Sequence, residues 1–202
     1  MGLKIAHFLA RLVWRALYFT KYVGADNMPE GGAVLCANHT SLADPFFILF
    51  RAKIGEFPYT IAKKELFQNK ILAKFLTWAH VFPVDRGKAD LRAIRKSLEV
   101  LRAGHKLLIF PEGRRVDAPT GDEDAKSGAA MFAHKVGVPI VPIYMTARRK
   151  LPFRRVTVVY GEPIYLDFGG GKPTQEMYTR EMDSVMDKVR ELGIKRGKGY
   201  DT

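Results

Sequence analysis

Ala33-Val34-Leu35-Cys36-Ala37-Asn38-His39-Thr40-Ser41-Leu42-Ala43-Asp44-Pro45 runs from five apolar residues through a polar turn to a helix start. A short unbroken apolar run beside a turn cluster reads as a buried strand. The turn cluster is residues 26–32, rich in Asp, Asn, Pro and Gly. Residues 45–52 then read as helix. Between strand and helix stand a histidine and an aspartate, His39 and Asp44. In open α/β sheets, ligands collect at the carboxyl ends of strands, so the pair occupies a place where chemistry is expected.

The same alternation continues outward. Strands are expected at 59–62, 81–84, 106–110, 138–145 and 156–160. Helices are expected at 63–78, 89–103, 128–136 and 175–192, with Gly104 and Gly137 as stops. In the helix at 89–103, Leu91, Ile94, Leu98 and Leu101 fall on one side. Residues 117–126 and 168–174 read as loops, and no internal repeat is present. Short apolar runs alternating with helical periods predict a single α/β domain, with a largely parallel mixed sheet flanked by helices. Arg86 and the stretch Glu112 to Arg115 also follow expected strands.

The chain has 202 residues, 47% hydrophobic and 27% charged, enough for one domain with a real core. Its 33 Lys and Arg outweigh 21 Asp and Glu, a formal charge of +12. That excess favours a polyanionic partner, a nucleic acid or an anionic lipid surface. No nucleic-acid reading motif with interleaved aromatics accompanies it, so nucleic acid is not the expected partner. The single cysteine, Cys36, excludes an intrachain disulfide and a thiolate cluster. The histidines lack metal-ligand spacing, so no metal site is expected.

The segment 3–23 is apolar but interrupted by charges. At 100° per residue, Lys4, His7, Arg11, Arg15 and Tyr18 form one stripe, and Phe8, Leu9, Leu12, Val13, Trp14 and Phe19 cover most of the rest. This predicts an amphipathic helix over residues 1–24, lying in a membrane interface. A domain over 25–194 and a basic tail over 195–202 complete the expected organisation. No stretch reaches the length of an uninterrupted membrane span.

His39 and Asp44 together offer a general base and the carboxylate that orients it. A histidine suits that task because its ordinary pKa lies near neutrality. Ser41-Leu42-Ala43-Asp44 equally matches a helix capping box, with Ser41 as N-cap and Asp44 at the third helical position. The two readings are compatible.

Two further stretches give the pair its context: Phe82-Pro83-Val84-Asp85-Arg86 and Phe110-Pro111-Glu112-Gly113-Arg114-Arg115. With His39 and Asp44 they resemble, in order, motifs of the glycerolipid acyltransferase family. Val138-Pro139-Ile140-Val141-Pro142-Ile143 is similar to its fourth motif, Lys126-Ser127-Gly128 to its Lys-x-Gly, and Gly161-Glu162-Pro163-Ile164 to a later feature. The resemblance covers roughly residues 33 to 163. It implies transfer of a fatty acyl group from acyl-CoA or acyl-carrier-protein to the free hydroxyl of 1-acyl-glycerol 3-phosphate, without a metal or redox cofactor. His39 would be the base and Asp44 its orienting group. Arg86, Arg115 and Lys126 would hold the acceptor phosphate, with Glu112 and Gly113 shaping that site. Arginine suits the role because its planar fork donates charge-assisted hydrogen bonds. The protein is then expected on the cytoplasmic face of a membrane, peripheral or monotopic, against an anionic bilayer surface. Two departures bear on the acceptor: Arg114 replaces the usual threonine, and Ala79-His80 stands where the second motif opens with glycine. The same chemistry on glycerol 3-phosphate, a lysophospholipid or a glycolipid is the alternative, as is a non-catalytic anionic-lipid-binding protein of the same fold.

Overall fold

The computed structural model describes residues 11–52, 56–85, 90–111, 127–146 and 154–196. Residues 11–17 are helical (α1). They lead into β1 (Tyr18–Val23), β2 (Ala33–Ala37), α2 (Asp44–Leu49), β3 (Tyr59–Lys63) and α3 (Lys70–Trp78). Then follow β4 (Val81–Val84), α4 (Leu91–Arg102), β5 (Lys106–Ile109), α5 (Gly128–Val136), β6 (Ile140–Met145), β7 (Arg154–Tyr160) and α6 (Gln175–Arg196).

The seven strands form one sheet in the order β1-β7-β6-β2-β5-β3-β4. Strands β2 to β6 run parallel, β7 is antiparallel to β6, and β1 is parallel to β7. This is the mixed, largely parallel α/β sheet that the alternation predicts. β2 is central, and all five of its residues are buried. Its pleat divides the core. Val34 and Cys36 face a cluster with Leu101, Phe132 and Met182, supplied by α4, α5 and α6. Ala33, Leu35 and Ala37 face Phe47 and Ile48 of α2, with Trp14 of α1 packed against them. A strand covered on both faces has no use for polar alternation, which is why this run is continuously apolar.

Three expectations are corrected. The amphipathic helix expected over 1–24 does not extend through its last turns: residues 18–23 are strand β1, registered from Tyr18↔Arg154 to Val23↔Val159. Tyr-Phe-Thr-Lys-Tyr-Val is rich in aromatic and β-branched residues that fit a pleated surface. Phe19 and Lys21 are exposed between the more buried Tyr18, Thr20 and Tyr22. The sheet therefore begins before the expected boundary at residue 25, while Lys4, His7, Phe8 and Leu9 lie outside the described residues. The helix expected at 63–78 is broken. Its start belongs to β3, a short 3-10 turn covers Lys64–Phe67, and Asn69 caps α3 by accepting from the N–H groups of Ile71 and Leu72. At the carboxyl end, α6 runs to Arg196, two residues into the expected tail. The remainder of that tail and the loop at 117–126 lie outside the described residues.

The turn into β4 carries a backbone cost. His80 adopts φ 59, the left-handed region that costs an L residue about 1–2 kcal/mol. A glycine would adopt it freely, and the resemblance puts the second motif's glycine at Ala79-His80. The imidazole recovers part of the cost: Nδ1 lies 3.2 Å from the Phe57 carbonyl oxygen, as donor to it, and the ring stacks on Tyr59 at 4.6 Å between centroids. His80→Ala keeps the strained backbone and removes both contacts. It should therefore be less stable than His80→Gly, by about 1 kcal/mol in denaturant melts. An alanine variant as stable as the glycine variant would refute strain at this turn.

Candidate active site

The carboxyl ends of β2 to β6 lie along one edge of the sheet. His39 follows β2, Lys64 follows β3, Asp85 follows β4, Phe110 follows β5 and Thr146 follows β6. The site is built from β2 outward. Asn38 is completely buried. Its amide nitrogen donates to Met145 O at 2.8 Å, and its Oδ1 accepts from Met145 N at 2.7 Å. The side chain thus extends the β2–β6 ladder by one step beyond the last paired residue, and fixes the point from which the turn departs.

The next residue is His39, with 17% of its side chain exposed. Its Nδ1 lies 3.1 Å from Oδ2 of Asp44. Asp44 is fully buried, and the same oxygen accepts from the backbone N–H groups of Thr40 at 2.7 Å and Ser41 at 2.8 Å. Three donors on one oxygen are what a buried carboxylate needs to stay charged. An acceptor at Nδ1 sets the tautomer: the proton sits on Nδ1, and Nε2 keeps the lone pair. On its other side the imidazole stacks on Phe110 at 4.2 Å between centroids, with an interplanar angle of 27°. The ring is fixed by a carboxylate at one edge and an aromatic face beside it.

The capping-box alternative is half met. Asp44 does accept from Ser41 N–H, but α2 begins at Asp44 with Ala43 as N-cap, and no side chain caps it. Ser41 Oγ instead accepts from Ala43 N at 3.2 Å. The carboxylate tightens the turn and holds the histidine with the same oxygen.

Of the sequence-predicted site residues, His39 and Asp44 are brought together. Arg86, Glu112, Gly113, Arg115 and Lys126 lie outside the described residues, as does Arg114. The strands that lead to them are described. β5 neighbours β2, so Phe110 leaves a strand beside the one that leads to His39. β4 lies three ladder spacings from β2, roughly 14 Å at about 4.8 Å each. Asp85, next to Arg86 in the chain, accepts from Lys64 Nζ at 2.6 Å, and its carboxylate holds that ammonium above its usual pKa range. Asp90 accepts from the N–H groups of Asp85, Arg92 and Ala93, which holds its own carboxyl below the usual range. Residues 85 and 90 are therefore tied together at the foot of α4.

Sequence reasoning missed Asn38 and the stacking role of Phe110. A polar residue closing an apolar run was the available signal for Asn38. Cys36 is buried in β2 and its thiol is pushed far above the usual range by desolvation, so it is no nucleophile. Among the described residues, no group of three or more His, Cys, Asp or Glu is arranged to hold a metal ion.

The family model described as Acyltransferase matches residues 20–146. The chain belongs to the acyltransferase family. It is 28% identical over 180 residues to the 1-acyl-sn-glycerol-3-phosphate acyltransferase of Bacillus subtilis, covering 85% of this chain and 87% of that one. It is 31% identical over 160 residues to the enzyme of that name from Streptococcus pneumoniae, covering 76% of this chain and 58% of that one. Among solved structures, the 1-acyl-sn-glycerophosphate acyltransferase PlsC of Thermotoga maritima superposes with a TM-score of 0.66 at 25% identity, covering 95% of this chain and 79% of that one. In this member of the acyltransferase family, Asn38 is the fixed point beneath the histidine. Asn38→Leu leaves the N–H and the carbonyl of Met145 without their partner. It should lower unfolding free energy by about 1–3 kcal/mol per orphaned group. Wild-type stability in Asn38→Leu would remove the clamp.

Proposed function

We propose that the protein moves a fatty acyl group from a thioester to the free hydroxyl of 1-acyl-glycerol 3-phosphate, forming phosphatidic acid. The observation that carries this reading is His39 held by buried Asp44, with Nε2 left as the basic nitrogen. Membership of the family and the printed names of the relatives support the acceptor. In the step, Nε2 takes the hydroxyl proton as the oxygen attacks the thioester carbonyl. The tetrahedral adduct collapses, the C–S bond breaks, and the imidazolium returns its proton to the leaving thiolate. Asp44 holds the tautomer before attack and stabilises the imidazolium after it. The step balances with acceptor, donor and this one base. Acyl-CoA or acyl-carrier-protein presents the thioester, since the reacting group is the same in both. Arg86, Arg115 and Lys126 hold the acceptor phosphate, with Glu112 and Gly113 shaping that site.

The protein works at the cytoplasmic face of a membrane as a peripheral or monotopic protein. Among the described residues, no helix is long and apolar enough to cross one. Two helices instead expose apolar side chains: Leu12, Val13 and Leu17 on α1, and Ile71, Leu72 and Phe75 on α3. They are bridged through α2, since Phe46 lies against both Trp14 and Phe75. An apolar surface of this kind marks a partner, and a bilayer fits the lipid acceptor.

His39→Ala should abolish acyl transfer in a thiol-release assay with lysophosphatidic acid while the fold persists by circular dichroism. Asp44→Asn should cut turnover by orders of magnitude, as loss of tautomer control does in hydrolase triads, about 10⁴ there. Retention of more than about a tenth of wild-type turnover by His39→Ala contradicts a general base of this kind, which gives roughly 10²–10⁴.

Arg86→Ala and Arg115→Ala should each lower kcat/KM for the acceptor by roughly ten- to a hundredfold, the scale of one charge-assisted contact. Lysine at either position should rescue only partly, because it lacks the fork. Equal use of a phosphate-free acceptor would replace lysophosphatidic acid with another substrate.

A further inference from the structure

A cleft of about 720 Å³ lies between α1, β1, the end of α2 and the start of β7. Five of its lining residues are cations: Arg11, Arg15, Lys21, Arg51 and Arg155. They come from four separate segments, and no Asp or Glu is among the described lining residues. Like charges gathered in a concavity with apolar walls focus a positive field and raise the local concentration of anions. Arg51 lies over the ring of Tyr22, 5.8 Å from its centroid, and Tyr22 OH donates to Phe47 O at 2.8 Å. The guanidinium is therefore backed by a ring fixed to α2.

Trp14 supplies a second observation. Its ring packs against Tyr18 at 4.4 Å, Phe47 at 4.9 Å and Phe50 at 5.2 Å. Its indole N–H is buried in the same region without a hydrogen-bond partner among the described residues. An indole nitrogen can only donate, and an orphaned buried donor costs free energy that an oxyanion would return. The cleft opens on the catalytic edge of the sheet. Thr157, which lines it, donates its N–H to Thr146 Oγ1 at 3.1 Å, and Thr146 follows the Met145 that Asn38 clamps. Yet β7 lies two ladder spacings from β2, roughly 10 Å, so the cleft is separate from the His39–Asp44 pair. Leu12, Val13, Leu17 and Phe19, each half exposed or more, flank it. Apolar flanks around a cationic hollow suit an amphiphilic anion.

We propose that this cleft is a second phosphate site, which binds the phosphate headgroup of an anionic membrane lipid while the lipid's acyl chains stay with the bilayer beside Leu12, Val13 and Leu17. The assignment rests on the reading of a bilayer as partner. It goes beyond that reading by locating the headgroup and by separating it from the acceptor phosphate. A moored lipid at this edge sets the depth at which His39 meets the membrane. Free coenzyme A also carries phosphates, but it lacks the acyl chains that would lie beside the apolar flanks.

The full chain with Trp78→Phe retains Trp14 as its sole tryptophan. Short-chain phosphatidylglycerol below its micelle concentration should change Trp14 emission saturably, and free coenzyme A should not. Arg51→Gln with Arg155→Gln should raise the half-saturation concentration about tenfold or more, since each arginine contributes a charge-assisted contact. Arg95→Gln with Arg102→Gln, an equal charge loss on exposed α4, should leave it unchanged. Equal weakening in both double variants would reduce the effect to net charge and overturn the site, as would a stronger response to coenzyme A or none to lipid. Co-sedimentation of otherwise wild-type protein with vesicles separates the bilayer reading. Ile71→Ser with Phe75→Ser should weaken binding to phosphatidylcholine vesicles with and without phosphatidylglycerol alike, whereas the cleft variants should weaken only the anionic ones. If the wild-type chain sediments with neither vesicle, the bilayer partner falls and the cleft's lipid source with it. If it sediments with anionic vesicles and the cleft variants match it, the cleft alone falls.

Discussion

A carboxylate removed from water must be surrounded by donors, and three of them converge on Oδ2 of Asp44. The local backbone follows from it. Two peptide N–H groups and an imidazole converge only if residues 39–41 turn back over the start of α2. That turn needs a fixed origin, which Asn38 provides by bonding both backbone groups of Met145. The same six-residue helix that carries Asp44 then buries Phe47, Ile48 and Leu49 in the core. The interaction that organises the chemistry is also the one that seats the helix on the sheet.

How much of this was legible depended on the range of the interactions. β2 was readable because burial on both faces leaves five apolar residues in a row. α5 and its stop were readable because Gly137 adopts φ 73 at the C-cap, which only glycine adopts freely. His39 and Asp44 were readable because their chemistry and spacing are local. Residues 18–23 misled because Tyr18 continues the helical stripe of Lys4, His7, Arg11 and Arg15 and Phe19 its apolar face, while the same residues also alternate as a strand. The decision came from β7, far along the chain. The break before α3 rested on Asn69, a local cap set against a longer apolar pattern. Asn38 was obscure because its partner is 107 positions away. The cationic cleft gathers four segments that no linear reading places together.

The excess of positive charge is sorted in space. Some cations are matched by neighbours: Lys64 by Asp85, Lys96 by Glu99, Lys188 by Glu191 and Arg190 by Asp187. These exposed pairs contribute little to stability. Around the cleft, five cations share the described lining with Trp14, Tyr18, Phe19, Tyr22 and Phe50, and Arg51 lies over the Tyr22 ring. Part of the chain's net charge is thus gathered in one hollow of the described structure, where Arg11, Arg15, Lys21, Arg51 and Arg155 line the same cleft.

The position of β1 has a consequence for the order in which the chain is made. Its described ladder partner is β7, with Tyr18 registered on Arg154. During synthesis β1 leaves the ribosome long before β7 exists, whereas β2, β3 and β5 become available to one another earlier. An aromatic, amphipathic segment spends that interval without its edge of the sheet. The β1–β7 ladder, from Tyr18↔Arg154 to Val23↔Val159, therefore forms only once β7 has been made, so this edge of the sheet closes after its centre.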